Sequence, residues 1–302
     1  MRPGARPILA GDPGEITMAT KKGGWAAFPL DGKAFDFAGD KLRKAWPRLH
    51  AGDQEPFPDD KRAAALLKAA GKAAPKGLAA DAVATQLQDA WRAYHRGDFQ
   101  AAFEAGEALG PLGASVAGKA IGIHAGYLVD DEAERLRRYE KAGARAEAAI
   151  AALPAEANSH YRYAFAMGRY SQGISIGKAL KMGLATRVRQ ALDAALEREP
   201  KHAEAHTALA LYHGEIIAKI GALIGGMTYG AKASEADRHM ATALKLTPDS
   251  PIAHLEHANL LLLLHGDREE DKAAAAYEKA GKLKPADAME ALDARHAREQ
   301  IE

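Results

Sequence analysis

One recurring spacing limits what this chain can fold into more than any other feature. Ala195-Leu-Glu-Arg-Glu-Pro200, Ala243-Leu-Lys-Leu-Thr-Pro248 and Ala280-Gly-Lys-Leu-Lys-Pro285 repeat A-x-x-x-x-P, with successive prolines 48 and 37 residues apart. A bulky residue stands three before each alanine (Leu192, Met240, Tyr277), and a small or branched one seven before it (Val188, Ala236, Ala273). Positions three, four and seven apart share one face of an α-helix, and a proline beyond the last turn ends it. The spacing predicts a recurring amphipathic helix that must stack on copies of itself to bury its apolar face.

Helical periodicity runs almost unbroken from Asp36, and no alternating run rich in Val, Ile or Thr suggests a strand. Asp59, Asp81 and Asp130 stand where helix N-caps are expected. Pro75, Pro111, Pro154, Pro200, Pro248 and Pro285 fall between predicted helices, so the class is all-α. A second template, W-x-x-[LY]-H-x-G-D, occurs at Trp46–Asp53 and Trp91–Asp98, and Leu264-His-Gly-Asp267 shortens it. Glycine permits a left-handed helix end and aspartate can start the next helix, so each copy predicts the turn of a helical hairpin.

Composition removes several function classes. The chain has no cysteine, hence no disulfide, thiolate metal site or cysteine nucleophile. It carries 41 Lys+Arg against 40 Asp+Glu, a balance that argues against a nucleic-acid binder. No apolar run reaches the ~18–20 residues of a membrane span. Residues 1–20 hold three prolines and no apolar stretch of signal-peptide length, which points to a cytoplasmic address and a mobile start, with Met18 as an alternative first residue.

The A-x-x-x-x-P helices resemble the second helix of a tetratricopeptide repeat. YRYAFAMGRYSQG, GKALKMGLA, PKHAEAH, GALIGGMTYGA and LKLTPDSPIAH look like a group of bacterial tetratricopeptide proteins. More distantly, this half is similar to the T-components of tripartite (TRAP) solute transporters and to the regulator-of-microtubule-dynamics family. The resemblance implies an α-solenoid. It divides the chain into a flexible tail (1–34), divergent helical hairpins (35–152) and tetratricopeptide-like repeats (153–302), with a glycine-rich insertion at 219–231 in the loop between paired helices.

Within that frame the histidines read as packing residues. His202-x-x-x-His206 and His254-x-x-His257 have spacings that would chelate zinc, but Glu204 lies about 200° around the helix from either neighbour by the ~3.6-residue period. His50, His95 and His265 end their helices, where positive charge suits the carbonyl end. Lys178, Lys181 and Arg187 read as a solvated face. The most site-like group is Arg162, Arg169, Tyr170 and Gln172, joined downstream by Glu204, Glu215 and Asn259. Arg162, Arg169, Gln172, Glu204 and Asn259 take the repeat positions that face the concave groove in tetratricopeptide proteins, with Glu215 beside them. The reading is a non-enzymatic scaffold without cofactor or metal, binding a protein or peptide in that groove and open to homo-oligomerisation. Its rivals are a carrier of a small apolar or anionic ligand lidded by the insertion, and a metal-dependent hydrolase.

Overall fold

The computed structural model describes residues 24–302. Expectations about residues 1–23, including the leader and Met18, lie outside the described residues. The fold is all-α, with no strand among the described residues. Helices α1 (Lys41–Leu49), α2 (Asp60–Ala70), α3 (Ala80–Arg96), α4 (Phe99–Ala108), α5 (Ala114–Leu128) and α6 (Glu132–Ala152) form the N-terminal part. From α3 onward each packs on the next. Asp59 caps α2 through Arg62 N at 2.9 Å, whereas α6 is capped by Asp131, and Asp81 lies inside the first turn of α3.

The C-terminal part follows the repeat. Helix α7 (Ala157–Gln172) pairs with α9 (Leu184–Arg198), α10 (Ala203–Ile220) with α12 (Ala233–Leu246), and α13 (Pro251–His265) with α14 (Glu270–Lys282). One device recurs at the start of each pair. His160, His206 and His254 each donate Nε2–H to the carbonyl of the proline six residues earlier, Pro154, Pro200 and Pro248, at 2.9, 3.0 and 2.7 Å. A carbonyl only accepts, so these rings hold their proton on Nε2. The histidine thereby ties the first turn of one repeat to the end of the previous helix.

Two pairs carry a short helix between their members: α8 (Ile176–Lys181) in the first and α11 (Ala222–Tyr229) in the second. The segment 219–231 is therefore largely helical rather than a loop, because Gly221 and Gly230, both at positive φ, bracket an apolar stretch that closes its own hydrogen bonds. Since α8 and α11 interrupt corresponding connections of adjacent repeats, they lie on the same edge of the stack.

Two expectations need correction. Residues 24–34 are not a tail: Trp25 packs on Phe103 and His124, and Phe28 covers Gly97 beside Phe99. These aromatics seal an apolar face that α3–α5 leave open. The first W-x-x-L-H-x-G-D copy is not a hairpin turn, because α1 and α2 do not pack as a pair and Asp53 points inward. The second copy is one, with Gly97 at φ 94° ending α3 before α4. Finally, the stack closes on itself: α15 (Ala288–Glu299) returns to α3, where Tyr94 Oη meets Met289 Sδ at 2.9 Å. Ala288, Met289 and Leu292 share one core with Trp46, Trp91 and Tyr94.

Candidate functional site: a buried ion network beneath an apolar cavity

The two histidines of the repeated tryptophan template meet. Each stands four residues after its tryptophan, which brings the ring back over the indole one helical turn earlier, and His50 Nε2 lies 3.2 Å from His95 Nε2. His50 Nδ1 donates to Asp53 Oδ1 at 2.8 Å, and His95 Nδ1 faces Asp287 Oδ2 at 2.7 Å. Asp287 also caps α15 through Glu290 N. Burial alone would raise the Asp287 carboxyl, but the hydrogen bond and charge of His95 hold it below its ordinary value. A bare carboxylate only accepts, so His95 Nδ1 carries hydrogen.

Asp53 is the hub. Its Oδ2 accepts from Lys119 Nζ at 2.7 Å and Arg162 Nη2 at 2.6 Å, and both cations reach on to Glu204 at 3.0 and 3.5 Å. Burial would raise the Asp53 carboxyl, yet Lys119, His50 and Arg162 hold it well below the usual carboxylate range. Lys119 and Arg162 thus stand between the carboxylates of Asp53 and Glu204. Close pairing of this kind is what makes so many enclosed charges tolerable. Beside the hub, Glu55 accepts from Ser115 Oγ and Asn158 Nδ2 at 2.6 and 2.8 Å, and burial followed by the Asp53 charge pushes it up to about 7. Asn158 Oδ1 accepts from His202 Nε2, leaving His202 Nδ1 to cap α10 through Ala205 N.

Lys119, Arg162 and Glu204 form part of the floor of a cavity of about 720 Å3. Its walls are apolar, supplied by residues such as Ile123, Phe165, Leu184, Val188 and Ile216, and α8 and α11 contribute Ile176, Leu180 and Ile224 on the exposed side. A second polar group lines it. Arg169 Nη2 donates to buried Glu256 Oε1 at 3.3 Å, and Tyr127 Oη donates to Asp293 Oδ1. Burial pushes the Asp293 carboxyl well above its ordinary value. Among the described residues neither Asp293 Oδ2 nor Arg169 Nη1 has a hydrogen-bond partner. With Arg162 Nε, three buried polar atoms on residues that line the cavity are without a partner.

Of the residues singled out in the sequence, Arg162, Arg169, Gln172, Glu204 and Glu215 line this cavity. Tyr170 and Asn259 do not. Tyr170 is buried with its hydroxyl accepting from Lys178, and Asn259 donates to Glu256 Oε2 at 2.7 Å, which orients that carboxylate from behind. The arginines are not exposed groove residues either, with Arg162 enclosed between two carboxylates and the Arg169 side chain only 14% exposed. Glu215 pairs with Lys219 at 3.0 Å.

Sequence reasoning missed Asp53, Lys119, Tyr127, Glu256, Asp287 and Asp293. Lys119 had a signal, being the one Lys, Arg, Asp or Glu in the otherwise small and apolar α5. His50 and His95 were read as helix-end caps, but buried carboxylates rather than carbonyl ends hold them. Among the histidines of α10 and α12, His206 Nδ1 accepts from His239 Nδ1 at 2.8 Å, and His239 Nε2 accepts from Arg238 at 3.0 Å. Every ring nitrogen in that chain has a protein partner, and no group of three or more potential metal ligands occurs among the described residues. Neither protein-family models nor curated proteins match the chain.

Proposed function

We propose that this chain binds one small amphipathic molecule without chemical conversion, its apolar body in the cavity and its acceptor-bearing head, a carboxylate or phosphate, on the floor. The observation that supports this most directly is a largely apolar space of about 720 Å3 whose lining includes Arg169 and Asp293, each with a buried polar atom, Nη1 and Oδ2, that has no protein partner. A buried donor left unmade costs roughly 1–3 kcal/mol, and an anionic head group would accept from the Arg169 guanidinium. The volume suits such an occupant, since small-molecule pockets run from about 300 to 1,000 Å3. A peptide groove has less support, because α15 closes the stack against α3 and the arginines that would anchor a peptide already have carboxylate partners.

Gly168 provides the test. It lines the cavity from α7, and a Cβ placed there would meet nothing within 4 Å. Gly168→Phe should fill the space without displacing a neighbour, and it removes a glycine from a helix interior, which favours folding. Wild type should bind a dansyl-labelled long-chain fatty acid saturably, one molecule per chain. Gly168→Phe should abolish that binding while melting at or above the wild-type temperature. Arg169→Met should weaken it by roughly tenfold or more through loss of the charged donor. Absence of saturable binding, or equal binding by Gly168→Phe, would overturn the proposal.

A further inference from the structure

Large apolar side chains on the surface are concentrated at one place. Ile176 and Leu180 of α8 are 54% and 56% exposed, and Leu223, Ile224 and Met227 of α11 are 76%, 59% and 82% exposed. Elsewhere among the described residues only Leu30 and Ile301 are large, apolar and exposed, and both are more covered. Isolated exposed apolar residues need no explanation, but a cluster on two neighbouring short helices does. These helices occupy equivalent connections of adjacent repeats, and Ile176, Leu180 and Ile224 also line the cavity. The apolar edge is therefore continuous with the apolar interior.

Charge is arranged to match. Segment 173–183 holds Lys178 and Lys181 with no Asp or Glu, and Lys232 follows α11, while Lys219 is already paired with Glu215. In a chain whose cations and anions otherwise balance, this edge is basic. Apolar side chains flanked by lysines suit one kind of surface, a bilayer interface with anionic headgroups. An aqueous protein surface would gain little from Leu223 and Met227, whereas a bilayer takes up the side chains and pairs the lysines with phosphates.

We infer that α8 and α11 form a peripheral docking face that seats the open side of the cavity on an anionic lipid membrane. No helix among the described residues is long and apolar enough to cross a membrane, so the contact is interfacial. It rests on the exposed edge alone and stands whatever fills the cavity.

Vesicle flotation with the full chain tests it, using phosphatidylcholine vesicles with and without phosphatidylglycerol. Wild type should float with the anionic vesicles and should release as salt rises. Leu223→Asp/Met227→Asp should cut the partition coefficient by about tenfold or more, and Lys178→Glu/Lys181→Glu by a similar factor. Both pairs are on exposed helix faces, so circular dichroism should report unchanged helicity. Gly168→Phe should float like wild type, because it fills the cavity and leaves the edge intact. Wild type that stays with the zwitterionic and anionic vesicles equally poorly would overturn the inference. So would flotation lost in Gly168→Phe, which would make the vesicle a source of ligand only. A wild-type dimer by light scattering, split by the Leu223/Met227 variant and unable to float, would assign the edge to self-association instead.

Discussion

Asp53 and Asp98 end the two copies of one tryptophan template, yet they do opposite things. Asp98 is exposed and pairs with Arg96 at 2.5 Å, whereas Asp53 lies inside against His50, Lys119 and Arg162. Removing one member of a buried charge group strands the others, which typically costs about 3–5 kcal/mol, while exposed pairs contribute about 0–1 kcal/mol. Asp53→Asn should therefore lower the urea midpoint sharply, and Asp98→Asn should barely move it. Equal midpoints for the two variants would show that Asp53 is not the hub. Nothing in the motif distinguishes the copies. Only the packing of α5 and α7 behind the first turn, which brings Lys119 and Arg162 to Asp53, separates them.

The element that repeats most regularly is the proline-to-histidine tie at the head of α7, α10 and α13. The sequence pattern placed His206 and His254 at one repeat position and read them as packing residues, which agrees with their burial but misses the hydrogen bond. Proline carbonyls at helix junctions need a partner, and imidazole supplies a donor at the right reach while its ring fills the space between helices. His254→Phe keeps the bulk and loses the donor, so the Pro248 carbonyl is left unmade at a cost of roughly 1–3 kcal/mol. His257→Phe on the same helix removes no such bond and should cost less. Comparing the two in thermal melts checks the tie, and equal losses would reduce His254 to bulk alone. The inserted helices α8 and α11 show the other side of legibility. Their glycines and apolar residues mark an interruption, but no propensity rule says that the two interruptions would lie along one edge.

Across the whole molecule, acid is the sensitive variable. Burial depresses His50, His124, His202, His213 and His239, each to about 4 from an ordinary 6.5. For such groups the unfolded chain takes up protons that the folded chain refuses. Their stability is complete above pH ~6.5 and is lost progressively as pH falls toward about 4. Glu55, raised to about 7, and Asp293, raised by burial, act with the opposite sign and offset part of the loss. His50 and His202 are enclosed completely and weigh most, because a shift of one unit is about 1.4 kcal/mol without solvent screening. The net expectation is a loss of a few kcal/mol, roughly, between pH 7 and pH 5. Melting temperatures at those two values measure it, and an unchanged or higher temperature at pH 5 would contradict the burial of these rings. The same acidification strikes the closure, since His50 and His95 link α1 and α3 to Asp287 at the head of α15.

The sequence by itself determined the all-α class, the paired helices of the C-terminal half, and His206 and His254 as interior residues. Helix periodicity, proline stops and alanine-rich seams are local signals, set by neighbours within about one or two turns. It also singled out Arg162 and Arg169 by their shared helix face and Glu204 by its repeat position, and all three line the cavity. The partners of those residues were decided only by the tertiary structure. Asp53 is 109 positions from Arg162 and Asp287 is 192 from His95, and no local rule spans such separations. The return of α15 to α3 brings Met289 and Asp293 to the cavity wall, and with them a buried carboxyl oxygen that has no protein partner. Closure is a property of how each helix pair is rotated on the last, summed over the stack, and side-chain spacing within one helix carries no record of that sum.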